Sequence, residues 1–140
     1  MRTTTRGLYS LKAILTLAAD SSKDKPLALH IIAEKEDISA EFLQQIFFRL
    51  RKAGLIAAYR GPGGGFYLLK DKSEISVLSV LEAAGESFEL SPCALSRKGA
   101  KQPCAKFKDC KAGQFWMSLE SQIRNYAGSK TLADLMNRGA

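Results

Sequence analysis

The sequence predicts a mainly α fold carrying one small β-hairpin wing: a winged helix-turn-helix followed by a long C-terminal dimerisation helix. Three observations predict it. Leu43, Ile46, Phe47 and Leu50 stand at i, i+3, i+4 and i+7, which is one apolar face of a helix. Two short β-rich runs follow directly, residues 55–59 and 66–69, and they flank the glycine- and proline-rich tip of residues 60–65. Further on, Ala112, Trp116, Leu119, Ile123 and Tyr126 alternate four and three apart, with Phe115 beside them, as a heptad seam does.

Taken in order, residues 3–20 are expected to form the first helix. Its stripe of Leu8, Leu11, Leu15 and Ala18, joined by Ile14, is assigned to the core. A polar loop spans 21–26. A short helix then begins near Ala28 with Leu29, Ile32 and Ala33 as its apolar face. His30, the only histidine, lies among these apolar neighbours and is expected to be a packed or half-exposed structural residue. Glu36 and Asp37 make the tight turn that helix-turn-helix spacing requires. Ser39 is the side-chain N-cap of the next helix, Glu41 suits its positive first turn, and Gly54 supplies the left-handed stop. The buried face leaves Glu41, Gln44, Gln45, Phe48, Arg51 and Lys52 pointing outward. In the hairpin after it, Arg60 stands at the base of a side-chain-poor tip that fits a minor groove, where negative potential attracts arginine.

Ser76 opens a fourth helix as its N-cap, with Ile75 placed to staple against Val80, and this helix ends near Ala84 and Gly85. Residues 86–109 show no periodicity and form a predicted loop long enough to be functional. The long helix starts at Cys110 and is expected to stop at Gly128, and a last short helix over 131–136 has Thr131 as N-cap and Asp134 three residues on. Three segments result: a DNA-binding unit over 1–85, a cysteine-containing cluster loop over 86–109, and the dimerisation and C-terminal helices over 110–140. Phe115 and Trp116 are costly to leave in water at the end of a small domain, so the long helix is expected to pack against a second subunit.

A chain of 140 residues hides roughly two-thirds of its unfolded surface and needs no covalent staples. Hydrophobic content of 46% and a mean hydropathy of −0.12, without a long apolar span or a signal peptide, predict a soluble cytoplasmic protein with no membrane role. The net charge of +7 favours a polyanionic partner. Charge is unevenly spread: residues 1–72 hold twelve Lys and Arg against seven Asp and Glu, residues 73–92 hold four Glu and no base, and residues 93–111 hold six bases against Asp109. Positive charge thus gathers on the helix-turn-helix half and on the cysteine segment. A phosphate loop is the disfavoured rival, because RGPGGGF lacks the GK[ST] ending and runs from strand to strand. No enzyme constellation appears, since the single histidine has no cysteine or serine partner in sequence context and no paired carboxylates are set apart.

All three cysteines, Cys93, Cys104 and Cys110, fall within eighteen residues in the spacing C-x10-C-x5-C. A disulfide in a reducing compartment is disfavoured and would leave one thiol over. Zinc would want a fourth thiolate or a histidine, commonly with cysteines in CxxC-type pairs, and the cysteine segment holds neither. Three thiolates beside Lys106, Lys108 and Lys111 suit an iron-sulfur cluster, whose net negative charge the lysines offset. A redox thiol switch, or no cofactor at all, stays open at this level.

Collectively these residues resemble the IscR-type winged-helix regulators, a family that includes the iron-sulfur cluster assembly regulator and the nitric-oxide-sensing repressor. The resemblance runs nearly end to end: MRTTTRGLYSLKAILTLA, IIAEKEDISAEFLQQIFFRLRKAGLI, YRGPGGGFYLL, EISVLSVLEAAGE, the three cysteines followed by FW, and TLADL. It implies a homodimer crossed through the long helix, two recognition helices and wings on a two-fold double-stranded DNA operator, and a cluster that modulates DNA affinity. By position, Ser39, Glu41, Phe42, Gln44 and Gln45 match recognition-helix contacts and Arg60 matches the wing arginine, with Arg51, Gly63 and Gly64 completing the expected interface. Cys93, Cys104 and Cys110 match the cluster ligands, of a two-iron or four-iron cluster. There are departures. Gln44 is uncharged where several relatives carry glutamate, so its amide can donate and accept on an adenine edge. The first two cysteines are five residues further apart than in the best-known members. Gly113 stands where one branch has a histidine ligand, and Leu8 where another draws an aspartate from the partner's first helix. Asp109, Glu86, Glu89, a carboxylate of the other subunit or a small molecule remain as fourth ligand.

The resulting expectation is a dimeric, non-enzymatic transcription regulator that senses redox, iron or nitric oxide status through a cysteine-ligated cluster. The alternatives are a cluster-free winged-helix regulator with a thiol switch, and an adaptor that binds protein through the same fold.

Overall fold

The computed structural model describes residues 2–91 and 106–137. Helix α1 (Thr5–Asp20) is central and packs against α2 (Leu29–Glu36), α3 (Ala40–Lys52), α4 (Val77–Ala83), α6 (Leu132–Met136) and strand β2 (Gly65–Leu68). Thr4 caps it, the hydroxyl accepting the Gly7 N–H at 3.0 Å. The face that α1 buries is Gly7, Ser10, Ala13, Ile14, Thr16 and Leu17. Of the stripe expected from the sequence only Ile14 is fully buried: Leu8 is 53% exposed, and Leu11, Leu15 and Ala18 are half-buried. The correction has a physical reason. Small residues on one side let neighbouring helices approach closely, and Ser10 satisfies its hydroxyl inside the helix by donating to the Gly7 carbonyl at 3.0 Å, so polarity does not keep that face in water.

Helix α2 ends at Asp37, whose φ of 53° turns the chain left-handed, a conformation that aspartate tolerates better than most residues. The Ile38 N–H closes the turn on the Ala33 carbonyl at 3.0 Å. Thr16 donates to Glu36, which Lys12 also faces at 3.8 Å, and Lys35 meets Asp20 at 2.6 Å. The C-terminal end of α2 is therefore tied to the second half of α1. His30 lies on the exposed side of α2, so the apolar neighbours in its sequence do not pack around it.

Helix α3 starts at Ser39, which accepts the Phe42 N–H at 3.2 Å, and buries Leu43, Ile46, Phe47 and Leu50, each at most 1% exposed. Gly54, at φ 79°, reverses the chain into β1 (Ile56–Tyr59), which pairs antiparallel with β2 from Ile56 opposite Leu68 to Tyr59 opposite Gly65. Leu27 adds a single bridge to the other edge of β2, exchanging two backbone hydrogen bonds of 2.8 Å with Phe66. The Phe66 ring stands edge-on to Phe47, with centroids 4.9 Å apart, which locks the hairpin onto the back of α3.

Ser76 caps α4 as expected, and Ile75 and Val80 are both buried in the core. Within the predicted loop, Phe107–Asp109 form a 3₁₀ turn that leads into α5 (Lys111–Ser129). Gly128 does not stop α5. It lies inside the last turn, where a Cβ would meet the Leu78 side chain at 3.4 Å, so the glycine serves close packing on α4. The chain then returns: Val77 and Leu132 N–H groups donate to the Lys130 and Ile75 carbonyls at 2.8 and 3.0 Å. Thr131 and Asp134 form a reciprocal capping box at the start of α6, and Leu132 is fully buried in the same core as α1 and α3.

Candidate nucleic-acid interface and cysteine segment

One surface carries most of the expected contact residues. Ser39, Glu41, Gln44, Gln45, Arg51 and Lys52 are all exposed on α3, opposite its core face. Phe42 is different: it is half-buried, and its ring stands edge-on to Tyr9 with centroids 5.9 Å apart. Much of that side chain is therefore committed to holding α3 on α1. Between the exposed residues runs a shallow hollow lined by Glu41, Gln44, Gln45, Phe48 and Arg49.

The hairpin tip extends this surface. Gly61 and Gly63 have φ of 120° and 72°, and the Gly64 N–H closes the turn on the Gly61 carbonyl at 2.9 Å. A Cβ at Gly64 would lie 2.5 Å from the Tyr59 carbonyl oxygen, so only glycine fits there. Arg60 is exposed at the base of the tip, and Tyr59 beside it is 55% exposed. The tip thus presents backbone, one guanidinium and little else.

Two further cations gather where the sequence gives no warning. Guanidinium nitrogens of Arg49 and Arg6 come within 3.3 and 3.4 Å of the place a Gly85 Cβ would occupy, at the C-terminal end of α4. The last carbonyls of a helix carry partial negative charge, so cations are favoured there. Arg6 and Arg49 are 43 residues apart, counting from 6 to 49, and no local pattern joins them.

Of the three cysteines, Cys110 is described and Cys93 and Cys104 lie outside the described residues. Cys110 is the N-cap of α5, half-buried, and its sulfur accepts the Gly113 N–H at 3.3 Å. Backbone N–H groups directed at sulfur suit a metal-bound thiolate. Among the described residues no group of three or more His, Cys, Asp or Glu side chains is arranged to hold a metal ion. Of the carboxylates expected as fourth ligand, Asp109 is exposed beside Cys110 and Glu89 is exposed. Glu86 has another employment. Its carboxylate accepts the Thr4 N–H at 2.9 Å and the Thr4 hydroxyl at 3.0 Å, across 82 residues. A Cβ on Gly7 would stand 1.9 Å from the same oxygen, so Gly7 makes room for this contact.

Helix α5 leaves Phe115, Trp116, Met117 and Tyr126 exposed, at 58, 37, 42 and 58%. Leu119 and Ile123 of the heptad seam are half-buried, and Ile123 lines a hollow of about 300 Å³ with Leu81, Phe88 and Leu90 of its own chain. Arg124, on the side facing the body, pairs with Glu82 of α4 at 2.7 Å.

A helix-turn-helix whose exposed face continues into a glycine-tipped hairpin defines the winged-helix class of regulators. The Rrf2 family model, that of an iron-dependent transcriptional regulator, matches residues 3–138, and the chain belongs to this family. It is 39% identical over 137 residues to the HTH-type transcriptional regulator IscR of Yersinia pseudotuberculosis, covering 98% of this chain and 80% of that protein. Among solved structures, T. potens IscR superposes with a TM-score of 0.76 at 25% identity, covering 100% of this chain and 89% of the other. The oxidised form of Staphylococcus aureus CymR gives 0.73 at 29% identity, covering 96% and 95%. The chain is a transcription regulator of IscR type and not an enzyme, as its sequence predicts. No helix among the described residues is long and apolar enough to cross a membrane.

Proposed function

We propose that this regulator binds double-stranded DNA as a homodimer and adjusts that binding through an iron-sulfur cluster held by its cysteines. The observation that carries the reading is the joint exposure of the outward residues of α3 and of Arg60 at the hairpin tip, on two elements that one core holds together. Ser39, Glu41, Gln44 and Gln45 face the major groove, with Phe42 holding the start of the helix. Arg51 lies against the backbone, and Arg60 enters the minor groove past Gly63 and Gly64. The exposed aromatic side of α5 supports a second copy as its partner, which places two reading surfaces on a two-fold operator. Residues 1–85 then act as reader, 86–109 as cluster segment and 110–140 as the joining helices, in a cytoplasmic protein.

Cys93, Cys104 and Cys110 would hold the cluster, of two or four irons. When bound it supplies an oxidation- and ligand-sensitive group next to the start of α5. The exposed Asp109 is free to approach it as a fourth ligand, whereas Glu86 would first have to release Thr4. Anaerobic purification with absorbance, iron and sulfide analysis tests the cluster, and a salt series of duplex titrations tests the reader. A brown protein with stoichiometric sulfide and a steep salt dependence is expected. A colourless protein that ignores duplex DNA would overturn both halves and favour an adaptor. A thiol switch is the second reading, supported by the likeness to a CymR structure solved in an oxidised form. It predicts no sulfide, with a DNA affinity that changes on oxidation and only while the cysteines are present.

A further inference from the structure

Among the described residues the most exposed large apolar side chain is Phe48, at 68%, while its neighbour Phe47 is 1% exposed in the core. Single apolar side chains on a surface are ordinary, so exposure alone decides nothing. Position does. Gln44 and Gln45 precede Phe48 by four and three residues and Arg51 and Lys52 follow it by three and four, so all four share its side of α3, and all are exposed. The ring therefore stands in the middle of the reading face, with amides on its N-terminal side and cations on its C-terminal side. It also forms one wall of the hollow that Glu41, Gln44 and Gln45 line.

From this placement we infer that Phe48 is a specificity-determining residue that packs on a thymine methyl group in the major groove. The inference rests on the DNA-binding reading above. The flanking Arg51 and Lys52 complement a phosphate backbone and not an apolar protein groove. The C5 methyl of thymine is the one apolar feature that the four bases present in that groove, and an aromatic side chain is a suitable contact for it. The amide neighbours point the same way: a glutamine that reads adenine in an A·T pair has a thymine methyl next to it in the same groove. Gln44 and Phe48 are four residues apart, about 6 Å along the helix axis, so the methyl belongs to a base pair within about two of the one Gln44 reads.

The test begins with in vitro selection of duplexes from random sequence by the anaerobically purified chain. Single thymines of the selected site are then replaced by uracil, which lacks only the methyl. Wild-type protein is expected to lose about fourfold in affinity at one thymine of each half-site, the transfer free energy of one buried methyl expressed as an affinity ratio. Phe48→Ser should bind the thymine and uracil duplexes alike there, with an unchanged salt dependence, because no cation is removed. If Phe48→Ser keeps the wild-type ratio at every thymine, the ring does not touch a methyl and the inference fails while the DNA reader stands. If the wild-type protein selects no duplex at all, the reader fails and takes this inference with it.

Discussion

At Gly64 the space left for a side chain is smaller than a methyl group, since a Cβ would lie 2.5 Å from the Tyr59 carbonyl and 2.8 Å from that of Gly61. Gly64→Ala must therefore open the tip, and the tip aims Arg60. Arg60→Ala is expected to weaken duplex binding by about 1 to 3 kcal/mol with a melting temperature near wild type, because the side chain does not reach the core, and Gly64→Ala to weaken it at least as much with some loss of stability, because its methyl meets backbone. Gel-shift titration beside thermal melting checks this, and full DNA affinity in both variants would take the wing out of the interface. Gly7→Ala acts elsewhere. Its methyl meets the far end of the flexible Glu86 side chain, which must swing off Thr4, and the hydrogen bonds lost are offset by the about 1 kcal/mol that alanine gains over glycine inside a helix, so denaturant midpoints are expected to stay within about 1 kcal/mol of wild type and DNA affinity to be unchanged. The cap at Ser39 and the glycine tip are legible in the sequence, since their chemistry is complete within a few residues. The meeting of Glu86 with Thr4 and the approach of Arg6 and Arg49 to Gly85 are not, because only the packing of α1, α3 and α4 brings them together.

Helices α1 and α3 differ in how much of themselves the sequence displays. On α3 the i, i+3, i+4, i+7 set of Leu43, Ile46, Phe47 and Leu50 coincides with the core face, so periodicity finds that face and its complement, Phe48 included. On α1 the core face is partly Gly7, Ser10 and Ala13, which carry little hydrophobic signal, and the leucines beside it are left half-buried or, at Leu8, exposed. For α5 the period is legible, but the partner of its apolar side is not. The rings of Trp116 and Phe115 stand edge-on, with centroids 5.4 Å apart, near the start of this helix, and Trp116 is more accessible than Ile123, which partly faces its own chain. Trp116→Asp is accordingly expected to give a folded monomer whose DNA affinity falls with the loss of the paired half-site. Light scattering that still reports a dimer would show that α5 is joined elsewhere.

For the molecule as a whole, Cys110 stands at the start of α5, and α5 returns through Lys130 and Leu132 to the same body that holds α3. A metal held at that sulfur and a duplex held on α3 would therefore act on one connected scaffold. A coupling of about 1 to 3 kcal/mol, or 5- to 150-fold in DNA affinity, is the ordinary size for two such sites. One selected duplex titrated with cluster-loaded protein, cluster-free protein and the Cys93, Cys104 and Cys110 triple alanine variant measures it, and three equal affinities would leave the cysteines without a part in DNA binding. The position of Leu132 carries a different kind of consequence. Its side chain, 0% exposed, fills the core from the far end of the chain. A fragment ending at residue 85 would leave that core open by the volume of a leucine, a defect of about 2 to 5 kcal/mol by analogy with buried leucine truncations. Such a fragment is expected to melt well below the intact chain. Recombination that grafted residues 1–85 onto a foreign C-terminal element would thus inherit a broken interior, so the α3 surface and the C-terminal helices have to be passed on together.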